Sequence, residues 1–140
     1  RAPEGAERPA TARPRGPEGG RSFQWYLEQG LRRRELGQAD QALEFYDKAA
    51  ELRPGDVEVL TGRGFALLDL GDLNGALASF TSAHRTNPRF LDAILGLAET
   101  YREKGNTQKA LEFYRRYLDT APDGPEANLA RSMIERLKSP

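Results

Sequence analysis

Glycine, alanine, an aromatic ring and proline return every 34 residues along this chain, and that recurrence limits the available folds more than any other feature. Gly71, Ala76-Leu77, Phe80, Ala83 and Pro88 hold the middle register. The same classes stand one period earlier at Gly37, Ala42-Leu43, Tyr46, Ala49 and Pro54. They stand again one period later at Gly105, Ala110-Leu111, Tyr114 and Pro122, with one departure, Tyr117 in the place of Ala49 and Ala83. A fixed period of this length marks an array of stacked units, each burying its apolar face only against its neighbours.

The apolar spacing within each period is helical, and no stretch alternates with the period of a strand. It predicts helices over residues 22–36, 39–53, 57–70, 72–86, 89–104, 107–120 and 125–138. Gly37, Gly71 and Gly105 serve as left-handed stops, and Asp56 caps the third helix. Pro125 suits the first turn of the seventh. Small residues recur inside the helices: Gly30, Gly64 and Ala98 in the first helix of each unit, Ala42, Ala76 and Ala110 in the second. A glycine inside a helix costs about 1 kcal/mol against alanine, so two in register point to close packing. The expectation is that Tyr46, Phe80 or Tyr114 then fills the space toward the next unit.

Composition excludes more than it identifies. Lysine plus arginine balance aspartate plus glutamate at 21 each, without the basic excess of a nucleic-acid or membrane-surface binder. Without cysteine there is no disulfide, thiolate metal site or thiol nucleophile. No apolar run approaches a membrane span, and the expected compartment is the cytoplasm. Residues 1–21 are rich in Pro, Gly, Ala, Arg and Glu and lack any bulky apolar side chain, so they read as a disordered linker or tail. The chain begins at Arg1, which suggests a piece of a longer protein.

Catalytic chemistry finds little support. His84, the one histidine, sits beside Arg85 near a helix end, where the helix dipole favours a cation. Residues 71–75 have the composition of a calcium loop, but Leu70 and Thr81 occupy positions that need carboxylates. Arg32-Arg33-Arg34 fans around a helix and reads as a solvated face. The expectation is no enzyme, no metal and no cofactor.

The small, aromatic and proline positions resemble those of the tetratricopeptide repeat (TPR) family. The resemblance covers units at about 23–56, 57–90 and 91–124, followed by a capping helix at about 125–138. Arg33, Gln29 and Arg63 depart from the family's apolar slots. The resemblance implies an all-α, right-handed superhelical solenoid whose concave groove, lined by the first helix of each unit, holds peptides or partner helices. On matching positions the groove would comprise Gln24, Leu27, Leu31 and Arg34, then Glu58, Thr61, Gly62, Phe65, Leu68 and Asp69. The third unit would add Asp92, Leu95, Gly96, Glu99, Arg102 and Glu103. Leu27, Leu31, Phe65, Leu68 and Leu95 would form an apolar strip flanked by carboxylates. Gly62 and Gly96 would lower its floor for a ligand.

The family members that grip acidic chaperone tails use cations where this chain has Leu27, Leu31, Gly62, Asp92 and Gly96, so that subtype does not fit. The expected partner is a protein or peptide with an apolar segment and Lys/Arg flanks, with neither nucleic acid nor membrane insertion involved. Phe23 and Trp25 either cap the open end of the array or form a second docking surface. The function expected is a non-catalytic interaction scaffold or adaptor. Alternatives are a secretion-type chaperone for an exported protein and a regulatory or spacer segment of a larger enzyme.

Overall fold

A side chain just ahead of the first turn fixes the start of four of the seven described helices. In the computed structural model, which describes residues 20–139, the helices are α1 (Phe23–Glu35), α2 (Ala39–Leu52), α3 (Val57–Asp69), α4 (Leu73–Thr86), α5 (Leu91–Glu103), α6 (Thr107–Thr120) and α7 (Ala127–Lys138). There is no extended strand among the described residues. Ser22 Oγ accepts from the Trp25 amide at 3.1 Å, and Asp56 Oδ1 from the Val59 amide at 3.1 Å. Asp72 Oδ1 accepts from the Gly75 amide at 2.9 Å. Ser22 and Asp72, read from sequence as first helical residues, are therefore caps, each satisfying an amide that the helix leaves free. The fifth helix starts two residues late because Asn87 Oδ1 accepts the Arg89 amide at 3.1 Å and holds a turn there. The seventh likewise starts at Ala127, after a turn at 124–126. The stops at Gly37, Gly71 and Gly105 have φ of 76°, 83° and 82°.

Short turns send each second helix back along the first. α1 packs on α2, α3 on α4 and α5 on α6, and each second helix also packs on the next unit. α1 meets α3, and α3 meets α5, so the first helices share one face. Behind that face Tyr46, Phe80 and Tyr114 are buried at the three matching positions. A β-carbon on Gly30 would stand 2.7 Å from the Tyr46 ring, and one on Gly62 would run into the same ring from the other side. Phe80 is held in the same way between Gly64 and Gly96. Tyr46 and Phe80 thus each span two units and serve as the mortar between them.

The ends of the array differ. Phe23 is buried in the first core cluster with Ala42, Tyr46 and Val59, and the Arg53 guanidinium lies 4.1 Å from its ring centroid. Of the two readings of the aromatic pair, docking fails for Phe23, which its own chain covers. Trp25 is half-buried, edge-on to Tyr26 at 5.2 Å and Phe45 at 5.7 Å. At the other end the Tyr117 hydroxyl accepts the Glu126 amide at 2.9 Å, and Ala127 and Ala130 bury α7 against the core. The tail read at 1–21 lies outside the described residues up to residue 19.

Two basic features are not what the helix positions suggest. Arg33 donates to Gln38 Oε1 at 3.0 Å and Arg34 lies over Phe65, so of the arginine run only Arg32 is a solvated cation. His84 Nε2 sits 3.1 Å from Arg116 Nη1, with Glu112 3.5 Å from the same guanidinium. Partial burial and then the Arg116 charge lower its pKa. His84 is therefore a neutral acceptor, not a dipole-stabilised cation. Because its folded pKa lies below the unfolded one, stability is full above about pH 6.5 and falls as pH drops through the folded value. Urea melts at pH 7.5 and 5 should show this acid loss, and His84→Asn should reduce it.

Candidate functional site

The shared face of α1, α3 and the start of α5 encloses a cavity of about 510 Å³. α1 contributes Gln24, Leu27, Glu28, Leu31 and Arg34, and α3 contributes Glu58, Thr61, Gly62 and Phe65. Three- and four-residue steps put each set on one side of its helix. Phe90, Asp92 and Leu95 close the third side, and the Tyr46 ring shows between the helices. The apolar part is graded: Leu31 is 49% exposed, Phe65 is half-buried and Leu95 is 8% exposed.

The polar part is unevenly committed. The Arg34 guanidinium lies 4.8 Å from the Phe65 ring centroid, and its Nε is 3.9 Å from Asp69 Oδ2. It also stands beside the Tyr46 hydroxyl, whose pKa is raised by burial and lowered in part by Arg34. Phe65 in turn meets Phe80 edge-on at 4.8 Å, which ties the groove wall to the core. Glu58 and Asp92 are exposed at the starts of α3 and α5.

Of the residues assigned from sequence, Leu27, Leu31, Glu58, Thr61, Gly62, Phe65, Asp92 and Leu95 line this one cavity. Leu68 instead packs half-buried against the core. Asp69, Glu99, Arg102 and Glu103 lie nearer the far ends of α3 and α5 and do not line the cavity. There Arg102 donates from Nε to the Tyr114 hydroxyl at 3.3 Å and sits 3.3 Å from Glu103. Burial raises the Glu99 pKa; Arg102 opposes this, while Glu126, Glu103 and Asp69 add to it. Gly62 and Gly96 do not open the floor to a ligand: the room their missing side chains leave is filled by Tyr46 and Phe80. Sequence reasoning did not place Glu28, Tyr46 or Phe90 in the site. Glu28 follows Gln24 by one helical turn, and Phe90 is a bulky ring at a helix start, so both carried a usable signal.

Among the described residues no three His, Cys, Asp or Glu side chains gather as metal ligands, and no helix is long and apolar enough to cross a membrane. Stacked helix pairs with an open inner cavity define a helical-repeat protein. Two tetratricopeptide repeat profiles match residues 67–134 and 27–85, and the chain belongs to that family. It is 32% identical over 102 residues to mouse (Mus musculus) outer dynein arm-docking complex subunit 4, a match covering 73% of this chain and 16% of that protein. YrrB, described as a TPR protein with an unusual peptide-binding site, is 30% identical with a TM-score of 0.73, over 81% of this chain and 59% of YrrB. The first TPR domain of Spaghetti, solved with an HSP90 peptide, shares 23% identity and a TM-score of 0.74 over 84% of this chain and 94% of that one.

Proposed function

We propose that this chain is a non-catalytic protein-interaction module whose inner groove receives an apolar polypeptide segment flanked by lysine or arginine. The observation that carries this reading is the cavity itself, apolar along Leu27, Leu31, Phe65 and Leu95 and edged by the exposed carboxylates of Glu58 and Asp92. Burying one leucine or phenylalanine side chain there contributes about 1.5–3 kcal/mol. The carboxylates add mainly orientation and rate of encounter, since exposed ion pairs are worth little. Arg34, the cation of the lining, is already drawn onto Phe65 and toward Asp69. An acidic peptide, such as the HSP90 segment held by the Spaghetti domain, would face Glu58 and Asp92 here.

Leu31→Ser is the cleanest test, because Leu31 is half exposed and its loss leaves the core whole. The variant should keep its helicity and thermal midpoint while capture of the partner falls at least tenfold. Leu36→Ser, at a 58% exposed leucine outside the cavity, should capture normally. Equal capture by wild type and Leu31→Ser would refute groove binding.

A further inference from the structure

Contacts inside the array show which side of a unit its predecessor covers. In the second unit Arg63 donates back to Asp47 on α2 at 2.7 Å and across to Ser79 at 3.2 Å. In the third, Phe113 meets His84 of α4 edge-on at 5.8 Å. Val59 and Ser79 in the second unit, and Ala93 and Phe113 in the third, are buried. One period earlier the same slots hold Trp25 and Phe45. Both are half-buried, and no preceding helix covers them among the described residues. Their rings meet edge-on at 5.7 Å, and each has a cation beside it. Arg21 lies 5.0 Å from the Trp25 centroid, and Arg33 lies 5.8 Å from that of Phe45. Arg33 donates from Nη1 to Gln38, but its Nε has no acceptor. No carboxylate pairs with either arginine among the described residues.

This end face is not shaped for another repeat. A preceding unit would bring an aromatic ring against a glycine, as Tyr46 meets Gly62 and Phe80 meets Gly96, but the matching residue here is Glu28. It would also meet a smaller side chain, Val59 or Ala93 in the other units, where Trp25 stands. The bulk comes from this side of the seam, so an occupant must offer small side chains to it.

We propose that the Trp25–Phe45 end face docks an acidic amphipathic helix of another polypeptide, its small apolar residues on the two rings and its carboxylates on Arg21 and Arg33. A helix fits because a helix, α2 or α4, covers the matching face in each of the other units. Carboxylates fit because arginine binds them through charge-assisted, often paired hydrogen bonds, and Asp47 already meets Arg63 in this way across the next seam. Tryptophan and arginine are also the side chains that most often anchor interfaces. A second copy fits less well. Its own end face carries the same cations, and α7 at the opposite end exposes Arg131, Arg136 and Lys138 against Glu135. The end face stands apart from the groove and selects the opposite charge, so one chain can join two partners.

Trp25 is the one tryptophan, so its indole N–H signal reports this face alone. The probe is an acetylated, amidated helix of roughly four turns, with an alanine stripe flanked by glutamates and a hydrocarbon staple on its far side. A second probe carries lysine for each glutamate. Titrated into the isotope-labelled full chain, the glutamate probe should shift the Trp25 indole and the Phe45 amide and leave Leu31 and Leu95 unmoved. Arg33→Gln and Arg21→Gln should each weaken it roughly three- to tenfold. Arg21 lies ahead of α1, so its loss leaves the helices intact. Leu31→Ser should bind this probe as the wild type does. Equal or tighter binding of the lysine probe, shifts in the groove in place of Trp25, or no Trp25 shift at all would overturn the inference. Trp25 shifts that grow with protein concentration alone would overturn it in favour of a second copy. Each of these outcomes leaves the groove reading to its own test with Leu31→Ser.

Discussion

Phe80→Ala should cost about 3–5 kcal/mol of unfolding free energy, read as a lower urea midpoint. Phe80 has no solvent exposure, and its ring lies between Gly64 of its own unit and Gly96 of the next. Truncation therefore opens a void walled on two sides by residues without side chains to lean in. Little relaxation is available, so the cost belongs toward the upper end of the range for large-to-small changes. Phe65 also loses the ring it meets edge-on at 4.8 Å, so groove binding should weaken along with stability. In a domain stable by 5–15 kcal/mol this is a large fraction of the total. A loss under about 1 kcal/mol would mean that the ring does not hold the units together.

Gly96→Ala sets helix propensity against packing. Propensity alone favours alanine by about 1 kcal/mol in mid-helix. The added carbon, however, would run into the Phe80 ring, which cannot retreat because its other side is already against Gly64. Overpacking of a well-filled core costs about 1–3 kcal/mol and occasionally more. With no free direction for the ring, packing should win, for a net loss of about 2 kcal/mol. Phe80→Leu in the same background should cost less than the two single changes added together, since each relieves the other. A raised midpoint for Gly96→Ala would show that the ring has room the structure does not give it.

The repeat, its helix pairs and its glycine stops were legible because they depend on residues near one another in sequence. The capping side chains Ser22 and Asp72 were misassigned by one residue, because a cap and a first helical residue favour the same kinds of side chain. Gly62 and Gly96 show a different limit. Their place on the inner face was readable, but sequence does not say whose atoms fill the space a missing side chain leaves. The rings that fill it come from the preceding helix, Tyr46 for Gly62 and Phe80 for Gly96. His84 was misjudged for the same reason: its partner, Arg116, lies 32 residues away on another helix.

One correlation was present in the sequence and went unread. Tyr46 and Tyr114 carry hydroxyls, and the residue twelve places before each is an arginine, Arg34 and Arg102, that interacts with it. Phe80 has no hydroxyl, and Leu68 stands in that place. The polar residue is there where a buried hydroxyl needs it, and an apolar one where it does not. That pairing explains why Arg102 serves the interior, and why Leu68 belongs to the core instead of the binding strip.

A photo-crosslinking phenylalanine analogue, placed at Leu31 in one variant and at Leu52 in another, tests the central claim most directly. The two leucines are similarly exposed, 49% and 43%, but only Leu31 lines the cavity. The account predicts that Leu31 forms a covalent adduct with a partner polypeptide, mapped by mass spectrometry to an apolar segment bearing lysine or arginine, and that Leu52 does not. Adducts from Leu52 with Leu31 silent would contradict it.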